Sequence, residues 1–387
     1  MKGNKAQNSV LPHSQAKLDL FRNYLMHYLR ILSLAPFCTK INLYDIFCGS
    51  GVYNDGKMGS PLIAKQCIKE TQHLLFKLDK PAKPITLTIN DKEEEKIQKV
   101  KQLLEAEVLE KLSISYFNED ADTMLTKAAL EINSFPKTAR TLVFIDPYGY
   151  SKIDKDKIYT ILKNECSEVI LFLPVMQMYR FTGTALTDKE KACYENLRKF
   201  IYSFFPSSHK IHQNGIENIL EYINEIKVAL TFENRFYSCS HYIEREKGNY
   251  YGLFFITSNI YGLEKMLEAK WKMDPIKGKG FDQKKNSFQT SMFAQEFEEQ
   301  DKRKQLDYLA TVFLHEIDEK KQLTNNDIYK LSLLNEFMPK HANTVLKSLK
   351  GLIKAKSASG ISELDDVNFG INYDNFRNNT VKVLFSK

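Results

Sequence analysis

An acidic residue and two glycines lie close together near the start of the chain, at Asp45, Gly49 and Gly51. The apolar residues before Asp45 predict a short strand, and the glycines predict a turn directly after it. Because neither glycine has a Cβ, the backbone amides of such a turn can approach a bound molecule closely. The usual ligand of a turn of this kind is a nucleotide.

Two common nucleotide-binding motifs do not match this segment. The dinucleotide fingerprint requires a third glycine where the chain has Asn54, and an acidic residue about 20 positions further on. The next acidic residue at a predicted strand end is Asp91, which lies far beyond that distance. The sequence also lacks the glycine-rich phosphate loop that ends in Gly-Lys-Ser or Gly-Lys-Thr.

The order of Asp45, Phe47, Gly49 and Gly51 resembles the first motif of the S-adenosylmethionine-dependent methyltransferases. The resemblance implies that this segment binds the cofactor S-adenosylmethionine, with the glycine turn facing its methionine part. The candidate cofactor-binding residues here are Asp45, Phe47, Cys48, Gly49, Ser50 and Gly51. Cys48 could also be a nucleophile, but no adjacent base supports that role, so a small buried thiol is expected.

Further acidic residues follow at the ends of the next two predicted strands. By the same resemblance, Asp91 would bind the ribose hydroxyls of the cofactor, and Glu119 or Asp120 would bind the adenine amino group. Carboxylates suit both tasks because they accept hydrogen bonds from two adjacent donors. Each aspartate alone could equally cap a helix. Three acids in order at successive strand ends favour a cofactor site.

Asp146, Pro147 and Tyr148 follow another apolar run and are the predicted catalytic residues. They resemble the segment of amino-methylating methyltransferases in which a polar side chain and a proline carbonyl accept hydrogen bonds from the target amine. In that segment an aromatic ring stacks on a flipped base. Here the second proline is absent and the aromatic residue comes one position early. The alternative interpretation is a strand followed by a simple proline turn.

Two other segments could border the same site. The loop 52–61 is longer than most connections between a strand and a helix, which predicts a lid over the cofactor or substrate, although a plain insertion would look the same. His13 and Lys17, at the start of the first predicted helix, could face the cleft. A solvated helix end is the simpler interpretation of these two residues.

Alternating strands and helices predict the fold that positions these residues. Five nearly continuous apolar strands are predicted between residues 41 and 174, with amphipathic helices between them, and another strand at 250–258. Strands of this type are typical of a parallel sheet covered by helices on both faces. The sequence therefore predicts an α/β, doubly wound, Rossmann-like methyltransferase domain at 41–285, preceded by a helical segment (1–40) that packs on it.

The tail at 300–387 is predicted as a separate α+β domain. Three short helices followed by a strand resemble a winged helix, with 339–350 in the place of its recognition helix. DNA or RNA could bind this helix through Lys340, His341, Asn343, Lys347 and Lys350. Nucleic acid could also bind the segment 265–285, which contains seven lysines and three acidic residues. Solvated lysines and a protein-docking module are the alternatives.

Composition restricts the classes of protein that remain. The 387 residues are 43% hydrophobic and 27% charged, as in ordinary globular proteins, and the net charge of +7 is mild evidence for a polyanionic partner. The six cysteines are far apart and lack metal-ligand spacing, so neither disulfides nor a metal site is predicted. Without a signal peptide or a membrane-spanning apolar stretch, a cytoplasmic protein is expected.

Four segments together resemble one bacterial family, the three-Cys-motif partner proteins (TcmP). They are the segments 13–25, 47–62, 144–149 and 250–266. The family is methyltransferase-like, and its name describes the cysteines of a functional partner related to radical S-adenosylmethionine enzymes. The resemblance therefore implies such a partner and assigns no iron–sulfur site to this chain.

These observations favour a methyltransferase-like protein that transfers a methyl group from S-adenosylmethionine to a nucleic acid amine and works with that partner. The alternative is a non-catalytic scaffold or specificity subunit for the partner, in a phage-defence context. A nuclease on the same sheet is a third hypothesis. Its acidic residues would be clustered around two metal ions, whereas here they are spread over successive strand ends.

Overall fold

A computed structural model of the protein describes residues 12–213, 215–245, 248–282, 294–358 and 369–387. The chain divides into two compact units. Among the described residues, the first comprises those from 12 to 259 together with 281 and 282, and the second comprises 260–280 and those from 294 to 387. The domain boundary predicted after residue 285 differs from this division, because the helix that begins at Ile260 belongs to the second unit.

The first unit is built on a mostly parallel sheet. Its strands are β1 (Lys40–Asp45), β2 (Ile85–Asn90), β3 (Leu112–Phe117), β4 (Ala139–Ile145), β5 (Ser167–Leu173), β6 (Tyr237–Arg245), β7 (Asn249–Thr257) and β8 (Gly280–Asp282). The strand order is β3-β2-β1-β4-β5-β7-β6-β8. Strands β1 to β5 pair in parallel, and β7 runs antiparallel to both β5 and β6. The predicted α/β doubly wound sheet is confirmed.

Helices cover both faces of this sheet. They are α1 (Pro12–Leu34), α2 (Ser60–Lys77), α3 (Glu94–Glu105), α4 (Ala121–Ser134), α5 (Lys155–Leu162), α6 (Val175–Thr187), α7 (Glu195–Phe204) and α8 (Ile219–Ala229). On one face, Phe21 of α1 packs on Phe144 of β4 with ring centroids 4.4 Å apart. On the other face, Met124 of α4 joins a buried cluster with Val143 of β4. Because neighbouring residues of β4 point to opposite faces, both sides of this strand are buried.

The sequence analysis did not predict β6. Its residues include Ser238, Ser240, His241 and Glu244, so the strand lacks the continuous apolar run that revealed β1 to β5. The structure pairs it along its whole length with β7 in an antiparallel ladder. Cys239 and Ile243 are fully buried. Pairing with the strongly apolar β7 therefore determines this strand, and its own sequence pattern is weak.

A buried carboxylate connects α1 to the sheet. Glu168 of β5 accepts a hydrogen bond from the Tyr24 hydroxyl of α1 and another, at 2.8 Å, from the Thr257 hydroxyl of β7. Burial raises the pKa of Glu168 to about 7, although both hydroxyls and the Arg140 guanidinium lower it. The folded protein therefore holds a proton on Glu168 at a pH where the unfolded chain releases it.

We expect the stability of the protein to depend on this proton. Because the folded-state pKa lies above the ordinary value of 4.5, the contribution is complete below pH 4.5 and is lost as the pH rises to about 7. The slope can reach about 1.4 kcal/mol per pH unit. Urea unfolding over this range should show a smaller decline for Glu168→Gln than for wild type. The exposed control Glu94→Gln should follow wild type, and a Glu168→Gln curve parallel to wild type would contradict the assignment.

The second unit combines helices with a small sheet. The helices are α9 (Ile260–Met273), α10 (Ala294–Lys320), α11 (Asn325–Leu334), α12 (Pro339–Ser348) and α13 (Tyr373–Arg377), and the strands are β9 (Leu323–Thr324), β10 (Lys354–Ser357) and β11 (Val383–Ser386). The strands form an antiparallel sheet in the order β10-β11-β9. The expected helices and terminal strand are therefore present, and the winged-helix assignment itself stays a prediction.

Charged and aromatic side chains fix α9 within the second unit. Lys270, which is fully buried, pairs with Glu336, and the Trp271 indole donates a hydrogen bond to the Glu336 carbonyl at 2.9 Å. Glu264 accepts a 2.5 Å hydrogen bond from the Tyr329 hydroxyl. The predicted boundary after residue 285 depends on composition, and these contacts of α9 could not be read from composition.

Contacts in this unit change the interpretation of His341 and of the segment 265–285, both of which are predicted to bind nucleic acid. His341 lies against Trp271 with ring centroids 4.1 Å apart, and burial lowers its pKa to about 4. Trp271 is itself buried, so neither ring is displayed for a base to stack on. In the segment 265–285, Lys265 pairs with Glu268 and Lys277 pairs with Asp301 at 2.7 Å. The positive charge of this segment is thus partly neutralised, and residues 283–285 lie outside the described residues.

No helix among the described residues is both long and apolar enough to cross a membrane.

Candidate functional site

A cavity of about 700 Å³ opens in the first unit at the carboxyl ends of β1, β4 and β5. This volume lies in the range of pockets for small molecules and cofactors. Eight of the residues predicted from sequence line it, namely Phe47, Cys48, Gly49, Ser50, Gly51, Asp146, Pro147 and Tyr148. The fold therefore brings together the glycine turn and the predicted catalytic segment, which are almost 100 residues apart in sequence.

The glycine turn adopts a backbone conformation that favours glycine at two positions. Gly49 has φ +61° and Gly51 has φ +76°. A Cβ on Gly51 would lie 2.8 Å from Leu62 Cδ1 and 3.0 Å from Val100 Cγ2, whereas a Cβ on Gly49 would meet nothing within 4 Å. A Cβ on Gly51 would therefore crowd side chains of α2 and α3, in addition to the cost of its backbone conformation. Gly49 is required by its conformation, and it leaves open space beside the cavity.

Asp45 lies buried at the end of β1, where it is 4% exposed. Neither of its carboxylate oxygens makes a hydrogen bond to any residue that the structure describes. Burial raises its pKa to about 7, the nearby Ser60 hydroxyl and Phe47 amide lower it, and the Asp146 and Asp91 carboxylates raise it further. A buried carboxylate without a partner is costly, because its lost hydration is not replaced. Ser60 lines the cavity, so Asp45 lies directly behind the cavity wall.

Asp91 connects the end of β2 to the glycine turn. Its two carboxylate oxygens accept hydrogen bonds from the Gly49 amide at 3.1 Å and from the Glu93 amide at 3.0 Å. Lys96 lies 3.8 Å from the same carboxylate. Asp91 therefore holds the turn against β2. Among the described residues, those that line the cavity do not include Asp91, so its predicted contact with ribose stays a prediction.

Glu119 and Asp120 contact residues of α4 and are not among the described residues that line the cavity. Asp120 caps α4 by accepting hydrogen bonds from the Asp122 amide at 2.8 Å and the Thr123 amide at 3.2 Å, and the Thr123 amide is the main cause of its lowered pKa. Glu119 forms an ion pair with Lys127. The described lining of the cavity includes neither acid. The contacts of Asp120 match the helix-cap alternative, and the predicted role of Glu119 or Asp120 at an adenine amino group stays a prediction.

Asp146 forms an ion pair with Lys17 of α1 inside the cavity. The Lys17 side chain is 16% exposed and the Asp146 side chain is 21% exposed. Burial is the largest influence on Lys17 and lowers its pKa, but Asp146, Tyr53 and Asp45 together outweigh burial, so the pKa is raised. Lys17 is therefore a cation at neutral pH. Its ammonium group also lies 5.1 Å from the centre of the Phe172 ring.

Tyr148 stands at the mouth of the cavity and is 85% exposed. Lys96 of α3 donates a hydrogen bond to the Tyr148 hydroxyl at 3.3 Å, and its ammonium lies 5.1 Å from the centre of the ring. Lys96 also pairs with Glu93 at 2.6 Å. These contacts hold an exposed aromatic ring next to the cavity, where a planar ligand could stack on it.

The loop 52–61 borders the cavity through Val52, Tyr53 and Asn54. It folds back on itself, because Val52 and Met58 form an antiparallel bridge and the Tyr53 amide donates to the Lys57 carbonyl at 2.9 Å. The loop is therefore ordered by its own hydrogen bonds. Its role as a lid stays a prediction.

Cys48 is buried, and its thiol donates a hydrogen bond to the Gly49 carbonyl at 3.3 Å. Burial raises its pKa far above the ordinary value, and the Asp45 and Asp91 carboxylates raise it further. A thiol in this state is a poor nucleophile, because thiolates are the reactive form. The structure thus matches the small buried thiol that the sequence analysis expected.

The place of Lys17 at a helix end favoured a solvated position, and the sequence pattern predicted no role for Lys96. Lys17 follows the helical spacing of Phe21, Tyr24 and Tyr28, all of which are buried on α1. This alignment with buried aromatic residues indicates, from sequence alone, that the Lys17 side chain points toward the protein and not toward solvent. Lys96 gives no comparable signal, since it lies among charged residues at the start of α3.

Comparisons with known proteins give similarity only at the level of solved structures. No protein-family model matches the chain, and no curated protein matches it. A DUF574 family protein from Streptomyces avermitilis covers 63% of this chain and 86% of its own, at 9% identity and a TM-score of 0.31. Magnesium protoporphyrin IX methyltransferase from Synechocystis with bound SAH covers 66% and 90%, at 9% identity and a TM-score of 0.29. Loganic acid methyltransferase with SAH covers 70% and 84%, at 10% identity and a TM-score of 0.30.

Proposed function

We propose that the protein is an S-adenosylmethionine-dependent methyltransferase. The observation that carries this proposal is the buried, unpartnered carboxylate of Asp45 behind a glycine turn that lines a cavity of about 700 Å³. A cationic ligand would add positive charge beside this carboxylate, whose oxygens make no hydrogen bond within the described residues. S-adenosylmethionine has an ammonium and a sulfonium, so its charge, its size and its need for close backbone approach all match the cavity.

Residues at one end of the cavity would bind the cofactor, and residues at the other end would bind the methyl acceptor. The glycine turn from Phe47 to Gly51 would surround the methionine part of the cofactor, with Asp45 supplying negative charge behind it. Asp146 and the Pro147 carbonyl would orient the acceptor amine, and Tyr148 would stack on it. When bound, the cofactor supplies a methyl group on a sulfonium, which makes transfer favourable once donor and acceptor are aligned.

Titration calorimetry with S-adenosylmethionine and its demethylated product tests this proposal. We expect micromolar binding to wild type, weakened about tenfold by Asp45→Asn, because the amide keeps the shape and removes the charge. Wild-type affinity should fall as the pH drops below about 7, where Asp45 takes up a proton, and Asp45→Asn should lose this dependence. The surface control Asp122→Asn should bind like wild type. Absence of binding by folded protein would refute the proposal.

A nucleic acid acceptor is the finer part of the proposal, and the charge of the second unit supports it. Residues 337–358 contain five lysines and no acidic residue. Lys340 and Lys347 are exposed on α12, Lys350 follows it, and Lys354 and Lys356 are exposed on β10. We call these five residues the lysine face. Positive charge of this density favours binding to a phosphate backbone.

Charge reversal should show whether the lysine face binds nucleic acid. We expect the double substitution Lys347→Glu and Lys354→Glu to weaken binding of a labelled 20-nucleotide single strand at least tenfold in an electrophoretic shift assay. The salt dependence should also become shallower, because fewer counterions are released. Lys304→Glu on α10 is the control and should have little effect. Equal weakening by the control and the double variant would remove the specific role of this face.

A non-catalytic scaffold is the second candidate function. The observation that favours it is that two carboxylates with predicted functional roles already have partners within the protein. Asp91 accepts a hydrogen bond from the glycine turn, and Asp146 pairs with Lys17. The three-Cys-motif partner related to radical S-adenosylmethionine enzymes belongs to this proposal as well as to the first. Co-purification with such a partner, together with absence of cofactor binding, would favour the scaffold.

A further inference from the structure

At the end of the cavity that we assign to the methyl acceptor, the ion pair between Lys17 and Asp146 places a hydrogen-bond donor next to a hydrogen-bond acceptor. The two side chains come from α1 and from the carboxyl end of β4, and both line the cavity. Each is mostly buried yet keeps some exposure, at 16% and 21%. A molecule bound at this end of the cavity can therefore contact both groups.

Stability alone gives little reason to keep a pair of charges here. Removing two charges from water is costly, and well-packed apolar side chains often stabilise a fold equally well. The Phe172 ring 5.1 Å from the Lys17 ammonium adds an attraction for a cation, but it does not require one. We therefore expect the pair to take part in ligand recognition, which its position in the cavity allows.

The hydrogen-bonding capacity of the pair defines which acceptor matches it. Lys17 has three N–H donors, and only one of them is needed for Asp146 Oδ2. Asp146 has a second oxygen that can accept a hydrogen bond. A planar amine next to a ring nitrogen offers a donor to Asp146 and an acceptor to Lys17. A protonated alkylamine offers donors only, and the Lys17 ammonium repels its charge.

We propose that Lys17 is a specificity-determining residue, and that with Asp146 it selects a neutral amine beside a ring nitrogen, as on the amino edge of adenine or cytosine, over an alkylammonium. This inference rests on the proposed function and names its acceptor chemistry. Lys17 acts here by direct contact with the acceptor. Asp146 then binds the amine without attracting cationic side chains such as those of lysine.

Saturation-transfer NMR tests the inference on the full chain saturated with S-adenosylhomocysteine, which keeps adenosine analogues out of the cofactor end. The probes are deoxyadenosine, deoxycytidine, thymidine and pentylamine, each at millimolar concentration. Wild type should bind deoxyadenosine or deoxycytidine at least fivefold more tightly than pentylamine. Lys17→Met should reverse this order, because it removes the donor and leaves the Asp146 carboxylate open to an ammonium. Lys17→Arg should keep the nucleoside preference.

Controls separate this inference from the proposed function and from misfolding. Lys69→Met removes a lysine of α2 that pairs with Glu107 on the protein surface, and it should behave like wild type. If Lys17→Met does not fold, Asp146→Asn replaces it and should weaken nucleoside binding without admitting pentylamine. Preference of wild type for pentylamine, or binding of neither nucleoside, would overturn the inference while S-adenosylhomocysteine still binds. Failure of S-adenosylhomocysteine to bind would overturn the proposed function and this inference together.

Discussion

Replacing Asp146 with alanine should reduce methyl transfer by at least a hundredfold while changing the affinity for S-adenosylmethionine by less than about threefold. Loss of a single positioned polar group at a reacting centre typically costs a factor of 10² to 10³ in rate. Asp146 lies at the end of β4, whereas the glycine turn that we assign to the cofactor follows β1. Transfer of a labelled methyl group to single-stranded DNA or RNA, measured beside calorimetry, separates the two effects.

Alanine at this position also leaves Lys17 without its partner, so folding must be measured for the same variant. Asp146→Asn is the matched control, because it keeps the volume and one carbonyl acceptor. It should retain more activity than Asp146→Ala. Equal loss of cofactor affinity and of methyl transfer in a folded Asp146→Ala protein would contradict the separate roles of the two ends of the cavity.

Gly51→Ala should destabilise the first unit by about 2–4 kcal/mol, and Gly49→Ala by only about 1–2 kcal/mol. A left-handed backbone conformation costs a residue with a Cβ about 1–2 kcal/mol, and this term applies to both glycines. Only at Gly51 does the added Cβ come within 3.0 Å of side chains, those of Leu62 and Val100, and overpacking of this kind costs about 1–3 kcal/mol more.

Urea unfolding of the two variants checks this difference directly. Gly56→Ala is a further control, since Gly56 has φ +80° in the loop 52–61 and a Cβ there would also meet nothing within 4 Å. It should resemble Gly49→Ala in stability and leave cofactor binding unchanged. If all three variants lost the same stability, packing against Leu62 and Val100 would not be the reason for glycine at position 51.

The core of the fold could be predicted from sequence because β1, β2, β4 and β5 are mostly buried on both faces and are therefore rich in apolar residues, while β3 at the edge of the sheet is only partly buried. The same reasoning failed for β6, whose serines, histidine and glutamate interrupt that pattern and whose position depends on pairing with β7. The division into two compact units also differs from the predicted boundary after residue 285. Helix α9 has an ordinary amphipathic sequence, and only its contacts through Lys270 and Trp271 assign it to the second unit.

The candidate site was predicted in part for a related reason. The carboxyl ends of parallel strands meet at one edge of the sheet, so Gly49 and Asp146 could be expected to lie near each other. The sequence could not show which of these carboxylates have a partner within the protein. Asp120 is next to amides that it caps, and Asp146 faces a lysine more than a hundred residues earlier in the chain. Such pairings depend on tertiary structure.

Photo-crosslinking most directly tests the central claim that S-adenosylmethionine binds in this cavity. Wild-type protein is irradiated with methyl-labelled S-adenosylmethionine, and the labelled peptide is identified after proteolysis. We expect label on the peptide that contains residues 47–60, with strong reduction by excess S-adenosylhomocysteine and in Asp45→Asn. Label confined to other peptides, or label that S-adenosylhomocysteine does not displace, would contradict the claim.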